Sequence, residues 1–180
     1  LFQAATHPWV DHLHYQLANG KDAEIALYWL KIVNAKYAVI TTIGSAEQYK
    51  EIKNLERFEG MELAHQENGD LIYEVPLAKS SLAKVVNASG VKSILPAKKA
   101  DQKKPLSEYV NWFETSSQAY ADFEVVDNSN FKIHSTLGNN EAILVQMTAD
   151  DGWSAIDTLS KKQIKTDKDP YGFLLLFPEQ

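Results

Sequence analysis

One stretch near the carboxyl end, Glu141–Pro178, limits the possible folds of this chain more than any other. Short apolar runs lie on both sides of a turn-forming sequence, Asp151-Gly152-Trp153, and their apolar residues recur with a period of two. That period is typical of strands, because side chains alternate between the two faces of a sheet. The same pattern begins at Phe123. The sequence therefore predicts a meander of short antiparallel strands, folded as a sandwich or jelly-roll.

The residues before this meander mix helical and strand patterns. Asp22 is placed to cap a helix that continues to about Val33. The following segment, Lys36–Thr42, is rich in β-branched and aromatic residues and is apolar on both faces, which predicts a buried central strand. The dipeptide Asn68-Gly69 between two apolar runs predicts a β-hairpin. A further extended segment, Leu82–Asn87, is predicted to pair with the residues directly after it, 91–95.

A lysine-rich segment divides the chain into two predicted lobes. Residues 97–104 combine four lysines with small residues, which is typical of a linker. A helix is predicted directly after it, with Leu106, Tyr109, Val110 and Phe113 on one face. The predicted fold class is therefore α+β, with a small α/β lobe over residues 1–96, a linker over 97–104 and an antiparallel β-sandwich, jelly-roll-like, over 105–180.

Charge and composition exclude several functional classes. The net charge is −6, and all basic residues except Arg57 are lysines, so nucleic-acid binding is disfavoured. The absence of cysteine excludes disulfides, thiolate metal sites and cysteine nucleophiles. No apolar run approaches the roughly 20 residues that a membrane-spanning helix needs. Because the chain begins at Leu1 without a methionine or a signal peptide, we expect it to be a piece of a larger protein.

Three segments occur in a recognisable order. They are ALYWLKIVNAKYAVIT (Ala26–Thr41), GDLIYEVPLAKSSLAKVV (Gly69–Val86) and AILVQMTADDGWSAIDTLSKKQIKTDKDPYGFLLLFP (Ala142–Pro178). Together they resemble the extracytoplasmic region of bacterial polytopic membrane proteins, namely the YfhO-like and the related "6-pyruvoyl-tetrahydropterin synthase-related" families, which are similar to glycosyltransferases that use lipid-linked sugars. The resemblance implies a helix followed by a strand for the first segment, a pair of strands for the second and a run of strands around the tryptophan for the third. The resemblance departs at Asp151, where the family has proline, and at Thr158, where it often has glycine.

The resemblance implies a position and partners for the chain. It implies a non-catalytic soluble domain on the extracytoplasmic side of a bacterial membrane, in a protein of cell-envelope glycan or lipid-linked sugar transfer. The expected partners are the transmembrane helices of the same parent chain and a glycan or lipid-linked sugar. Any catalytic carboxylate would lie elsewhere in the parent, so no catalytic residue is carried over to this chain. No cofactor is expected.

The best candidate binding surface from the residues themselves surrounds Trp153. The candidate ligand-binding residues are Asp150, Asp151, Trp153, Asp169 and Tyr171. A planar aromatic ring beside carboxylates can stack on a sugar while the carboxylates accept hydrogen bonds from its hydroxyls. A self-standing carbohydrate-binding module that uses Trp153 and Tyr171 is therefore the alternative function. The opposing interpretation is that Trp153 packs into the sandwich while the aspartates cap turns.

Two further constellations are weaker. His7, Asp11, His12 and His14 are the only clustered metal-ligand types, and a strand would place His12 and His14 on one face, but a third ligand has no evident position. No metal site is therefore predicted. A glycan hydrolase with two convergent carboxylates stays open as a third function, although no spacing in the sequence favours a pair.

Overall fold

The computed structural model describes residues 9–47, 52, 54–115 and 117–179. The helices are α1 (Val10–Asn19), α2 (Ala23–Ile32) and α3 (Lys103–Thr115), and short 3₁₀ helices cover Leu55–Phe58 and Gly90–Ser93. The strands are β1 (Tyr37–Thr41), β2 (Glu62–Glu67), β3 (Asp70–Glu74), β4 (Ala83–Asn87), β5 (Ala121–Val125), β6 (Phe131–Ser135), β7 (Glu141–Thr148), β8 (Ala155–Ile156), β9 (Gln163–Lys168) and β10 (Phe173–Phe177).

These elements form two compact units. The first contains the described residues up to Ala78 together with Ala97–Ser107, and the second contains Lys79–Pro96 together with the described residues from Glu108 onward. The predicted α+β class is confirmed: helices and a small sheet come first, and a lobe rich in antiparallel strands follows.

The first unit places two helices beside an antiparallel sheet of order β1-β3-β2. As predicted, Asp22 caps α2, because its carboxylate accepts hydrogen bonds from the backbone N–H of Glu24 (2.9 Å) and of Ile25 (3.3 Å). The predicted hairpin at Asn68-Gly69 also forms, joining β2 to β3. Both turn residues have positive φ, +49° and +86°, which is the conformation that this dipeptide favours.

The prediction of a central strand at residues 36–42 is wrong. β1 is an edge strand of its sheet, paired with β3 alone among the described strands. Ala38 and Ile40 are buried, whereas Tyr37 and Val39 are 55% and 61% exposed. An apolar composition on both faces therefore did not mean burial on both faces here, because only one face of β1 packs against the core of the unit.

The second unit is built on a five-stranded antiparallel sheet of order β4-β7-β10-β9-β8. The β5–β6 hairpin forms a second layer, and apolar side chains from both layers share one core. On the other sheet face, Lys84 of β4 lies over the ring of Phe113 in α3, at 5.7 Å from the ring centroid. β7 and β10 are accordingly almost continuous in apolar residues, since both of their faces are covered.

The helix predicted after the lysine-rich segment is α3, and its predicted apolar face is buried. Leu106, Tyr109, Val110 and Phe113 are each 2% exposed or less. The indole N–H of Trp112 on the same helix donates a hydrogen bond to the backbone oxygen of Asn87, at 3.1 Å.

The structure places β4 differently from its predicted position. β4 pairs with β7 in register Ala83↔Val145 to Asn87↔Glu141, and the residues predicted to pair with it begin in a 3₁₀ helix instead. Residues 79–96 therefore group with the second unit, whereas the predicted boundary put them in the first lobe. The local turn sequence at 88–90 favours a hairpin, but pairing with β7 buries Ala83, Val85 and Val86, which are each 1% exposed or less.

Candidate functional site

The second unit contains a cleft of about 2100 Å³. Two continuous runs of residues line it, Asn128–Asn139 around β6 and Gly152–Leu159 around β8. The remaining lining includes apolar side chains of the large sheet: Ile143, Val145, Met147, Ile164, Leu174 and Leu176. The cleft exists because the hairpin layer has two strands and the sheet below it has five, so part of the sheet face is left beside β6.

Trp153 lies in this cleft because a tight turn follows β7. The backbone N–H of Trp153 donates to the backbone oxygen of Asp150 (3.1 Å), and the Asp150 carboxylate accepts from the backbone N–H of Gly152 (2.8 Å). The indole N–H donates to the backbone oxygen of Thr148 at 3.3 Å. One side of the indole is near Phe131, with ring centroids 5.5 Å apart. Trp153 is thus a half-buried wall residue whose orientation is fixed by its neighbours.

Asp169 and Tyr171 lie inside the fold, in the turn between β9 and β10. Asp169 is 6% exposed and Tyr171 is 1% exposed. The Tyr171 ring stacks on Tyr109 of α3, with centroids 4.2 Å apart. The Asp169 carboxylate accepts hydrogen bonds from the Tyr109 hydroxyl and from the backbone N–H groups of Tyr171 and Phe173, the last two at 2.8 Å.

The five predicted binding residues therefore do not share one surface. Asp150 and Trp153 line the cleft. Asp151 is fully exposed and its carboxylate lies 3.5 Å from the Lys168 ammonium. The buried position of Tyr171 is a correction to the predicted Trp153–Tyr171 platform, since a ring stacked inside the core offers no face to a ligand. The sequence indicates which residue types lie in the turns, but it does not indicate on which face of the sheet the side chains of each turn lie.

Burial changes the acidity of the Asp169 carboxyl. Loss of water around it raises its pKa from 3.8 to about 6, against the hydrogen bonds from Tyr109 and the backbone, which favour the charged form. The same burial and the neighbouring carboxylate raise the pKa of the Tyr109 hydroxyl well above its usual value. A perturbed pKa in a cleft would indicate chemistry, but these two groups are buried under α3 and support a turn.

The cleft itself is acidic. Its lining includes four carboxylates, Asp122, Asp150, Asp157 and Glu179, and one lysine, Lys132. Hydrogen bonds from the backbone N–H of Leu159 and Ser160 lower the pKa of Asp157. The Lys162 ammonium, 2.7 Å away, lowers the pKa of Glu179. Both groups are consequently charged at neutral pH.

The structure gives the histidine cluster no common face. His7 lies outside the described residues. His12 and His14 are in α1, where residues two apart point to different sides of the helix, so the strand-like chelating pair does not form. In the described part of the chain, no three His, Asp or Glu side chains lie close enough together to hold a metal ion.

Sequence reasoning missed the wall residues of β6, and with them the cleft. Phe131 and Ile133 line it: Ile133 packs against the core of the unit, and the Phe131 ring lies beside those of Phe123 and Trp153. In the sequence both are ordinary members of a hairpin. Only the pairing of the strands, which is set by long-range contacts, leaves one edge of this hairpin beside an open part of the sheet.

Comparison with known proteins identifies no relative of this chain. Neither a protein-family model nor a curated protein nor a solved structure matches the chain. Among the described helices, none combines the length and apolarity that crossing a membrane requires.

Proposed function

We propose that this chain is a non-catalytic extracytoplasmic domain of a multi-pass membrane protein that acts in cell-envelope glycan or lipid-linked sugar transfer. The observation that carries the non-catalytic part is the use of its candidate carboxylates. Asp169 holds the β9–β10 turn, Asp150 holds the turn before Trp153, and Asp151 is paired with Lys168 at the surface. Carboxylates fixed in three separate structural roles do not form the convergent acid pair of a glycosidase.

The elements of the three resembling segments support the membrane-protein part of the proposal. Residues 26–41 comprise most of α2 followed by β1, which matches the implied helix and strand. Residues 142–178 include β8, β9, β10 and nearly all of β7, which matches the implied run of strands around the tryptophan. Residues 69–86 depart from the implied strand pair, because β3 and β4 belong to different sheets.

Cell fractionation with an antibody against this chain tests the proposal. We expect the full-length parent to stay in the membrane pellet after alkaline carbonate extraction. We also expect protease added to intact spheroplasts to destroy the epitope, because the domain faces the outside. A cytoplasmic enzyme serves as the control and should be degraded only after lysis. Recovery of the parent in the soluble fraction, or its protection until lysis, would overturn the proposal.

A further inference from the structure

The strand β6 has an unpaired edge at the cleft. Within the described part of the chain its only strand neighbour is β5. The backbone N–H of Val126 donates to the backbone oxygen of Asn130 at 3.0 Å, so these two residues are a hydrogen-bonded pair. Hydrogen-bonded and non-hydrogen-bonded pairs alternate along an antiparallel ladder, so this pair determines the type of every other pair between β5 and β6. In that alternation the residues that bond to β5 are Lys132 and His134. The backbone N–H and C=O groups of Phe131, Ile133 and Ser135 therefore point away from β5, and all three residues line the cleft.

The second lining run of the cleft also contains a strand edge. β8 pairs with β9 only, in register Ala155↔Ile164 and Ile156↔Gln163, and its other edge is free among the described strands. The cleft thus has unpaired main chain in both of its continuous lining runs. Alternating N–H and C=O groups along a strand edge are the recognition surface for another extended chain.

The width of the sheet leaves room for such a chain. Strands in a sheet are about 4.8 Å apart, so the five-stranded layer is about 24 Å wide and the two-stranded layer about 10 Å. The difference accommodates at least one further strand beside β6. Met147 and Ile164, on the part of the sheet that lines the cleft, are only half-buried and would be covered by apolar side chains of the added strand.

The charge of the cleft selects the chemistry of the occupant. Glu179 is paired with Lys162, which leaves Asp122, Asp150 and Asp157 against one lining lysine, Lys132. This excess of negative charge attracts a basic segment and repels anionic ligands such as phosphate-bearing lipid headgroups. The cleft combines a row of unpaired backbone groups with apolar side chains and carboxylates. This combination fits the backbone and side chains of a basic polypeptide better than it fits a sugar.

We propose that this cleft is a strand-addition site: an extended, basic segment of a partner polypeptide pairs with the free edge of β6. Apolar side chains at alternate positions of the segment face Met147 and Ile164. Lysine or arginine side chains at the other positions lie near the acidic residues of the cleft. This interaction is independent of the membrane-protein proposal, since the isolated chain already carries every group involved.

A blocked synthetic peptide, KVTVKVTVK, is the probe. Its valines alternate with polar and basic residues, as the site requires. We expect its addition to the 180-residue chain to shift the amide NMR signals of Phe131, Ile133 and Ser135 and to slow their hydrogen exchange. The peptide EVTVEVTVE, in which glutamate replaces each lysine, should bind at least roughly tenfold more weakly. A peptide with the residues of KVTVKVTVK in scrambled order should not protect these amides.

Two proline variants on the same hairpin form a matched pair. Ile133→Pro removes one N–H from the free edge, where proline does not interrupt the β5–β6 ladder. Val125→Pro makes the same change on the opposite edge, at a residue that does not line the cleft. We expect Ile133→Pro to weaken peptide binding roughly tenfold and Val125→Pro to leave it unchanged within about twofold. Ser135→Pro replaces Ile133→Pro if that variant does not fold.

Three outcomes would overturn the inference. The first is the absence of any shift at about 1 mM peptide, far above the range of specific complexes. The second is equal weakening by the two proline variants. The third is a saturable shift of the β6 amides by a soluble glycan without one by KVTVKVTVK, which would identify the cleft as a sugar site instead.

Discussion

The carboxylate of Asp169 is buried in the second unit. It accepts three hydrogen bonds, yet burial still raises its pKa to about 6 from 3.8. The folded state therefore holds this proton more tightly than the unfolded state. The contribution of Asp169 to the free energy of unfolding is therefore complete below about pH 3.8 and is lost as the pH rises through about 6.

We predict that Asp169→Asn reduces the gain in stability on mild acidification. Lowering the pH from 7.5 to 5 should raise the free energy of unfolding of the native protein by about 1.4 kcal/mol through this one group. Asparagine does not titrate, so this contribution is absent from the variant. Urea unfolding of both proteins at the two pH values measures the difference. Asp167→Asn, at an exposed neighbour, is the control and should behave as the native protein. Equal pH dependence of native protein and Asp169→Asn would contradict the prediction.

Two glycines in the first unit share a backbone conformation but differ in their surroundings. Gly60 and Gly69 have φ of +87° and +86°. A Cβ added at Gly60 meets nothing within 4 Å, whereas one added at Gly69 would overlap the backbone of Gly44 and Ser45. The strained conformation is common to both positions, so the close approach of the chains is the only difference.

We predict that Gly69→Ala costs about 3 kcal/mol of stability and Gly60→Ala about 1 kcal/mol. The extra loss at position 69 comes from separating the β2–β3 turn from Gly44 and Ser45. Chemical denaturation of the two variants gives both values directly. The interpretation fails if both substitutions cost the same, because then the backbone conformation alone would account for the glycines.

At the scale of elements, local sequence signals predict turns, caps and strands, whereas strand partners depend on residues far apart in the chain. The N-cap at Asp22, the Asn68-Gly69 turn and the period-two strands after Phe123 each depend on neighbouring residues, and each is found in the structure. The predicted partner of β4 is wrong because β7, with which it pairs, is more than fifty residues away in the sequence. The predicted central position of β1 is wrong because the composition of a strand does not indicate how many of its faces are covered.

The candidate site also divides into parts that local sequence predicts and parts that depend on distant residues. Asp150 and Trp153 are held by a four-residue turn, which the sequence indicates, and they do line the cleft. Asp169 and Tyr171 have the same residue types beside a similar turn, but Tyr109, sixty residues earlier in the chain, buries them. No local pattern distinguishes these two turns, because the difference lies in the packing of α3.

Arg57, the one arginine of the chain, joins two elements of the first unit. Its guanidinium donates hydrogen bonds to the backbone oxygens of Gln16 (3.1 Å), Leu17 and Gly20 (2.5 Å), at the carboxyl end of α1. The backbone oxygen of Gln16 also accepts a hydrogen bond from the backbone N–H of Gly20, at 3.0 Å. The guanidinium adds hydrogen bonds to the last carbonyls of the chain at this helix end and complements the negative end of the helix dipole. Burial lowers the pKa of Arg57, but an arginine stays charged.

We predict that Arg57→Lys destabilises the first unit by about 2–4 kcal/mol, because one ammonium does not reach the separate carbonyls that the planar guanidinium bridges. Hydrogen exchange should accelerate in α1 before it does in β7. Lys21→Ala is the control: it removes an exposed charge next to Gly20, and we expect it to change the free energy of unfolding by no more than about 0.5 kcal/mol. Unchanged protection of α1 in Arg57→Lys would show that the helix is held by its apolar face alone.

At the scale of the whole molecule, each unit is assembled from two separate pieces of chain. Residues 79–96 leave the first unit to supply β4 to the second, and residues 97–107 return to the first. A division at the lysine-rich segment, as the composition suggests, would therefore cut β4 from its sheet. β4 brings Ala83, Val85 and Val86, all 1% exposed or less, and five residues of pairing with β7.

We predict that a fragment of residues 105–180 fails to fold, whereas a fragment of residues 79–180 folds. Burying two valines and an alanine contributes about 4–6 kcal/mol, which is comparable to the whole stability of a small domain. Without β4, the edge of β7 and the apolar side chains beneath it would be exposed. Dispersion of amide NMR signals distinguishes the two outcomes, and Val85→Asp within 79–180 should reproduce the loss without shortening the chain. A dispersed spectrum from 105–180 would mean that β7 and β10 form the sheet without β4, and that the lysine-rich segment is a true domain boundary.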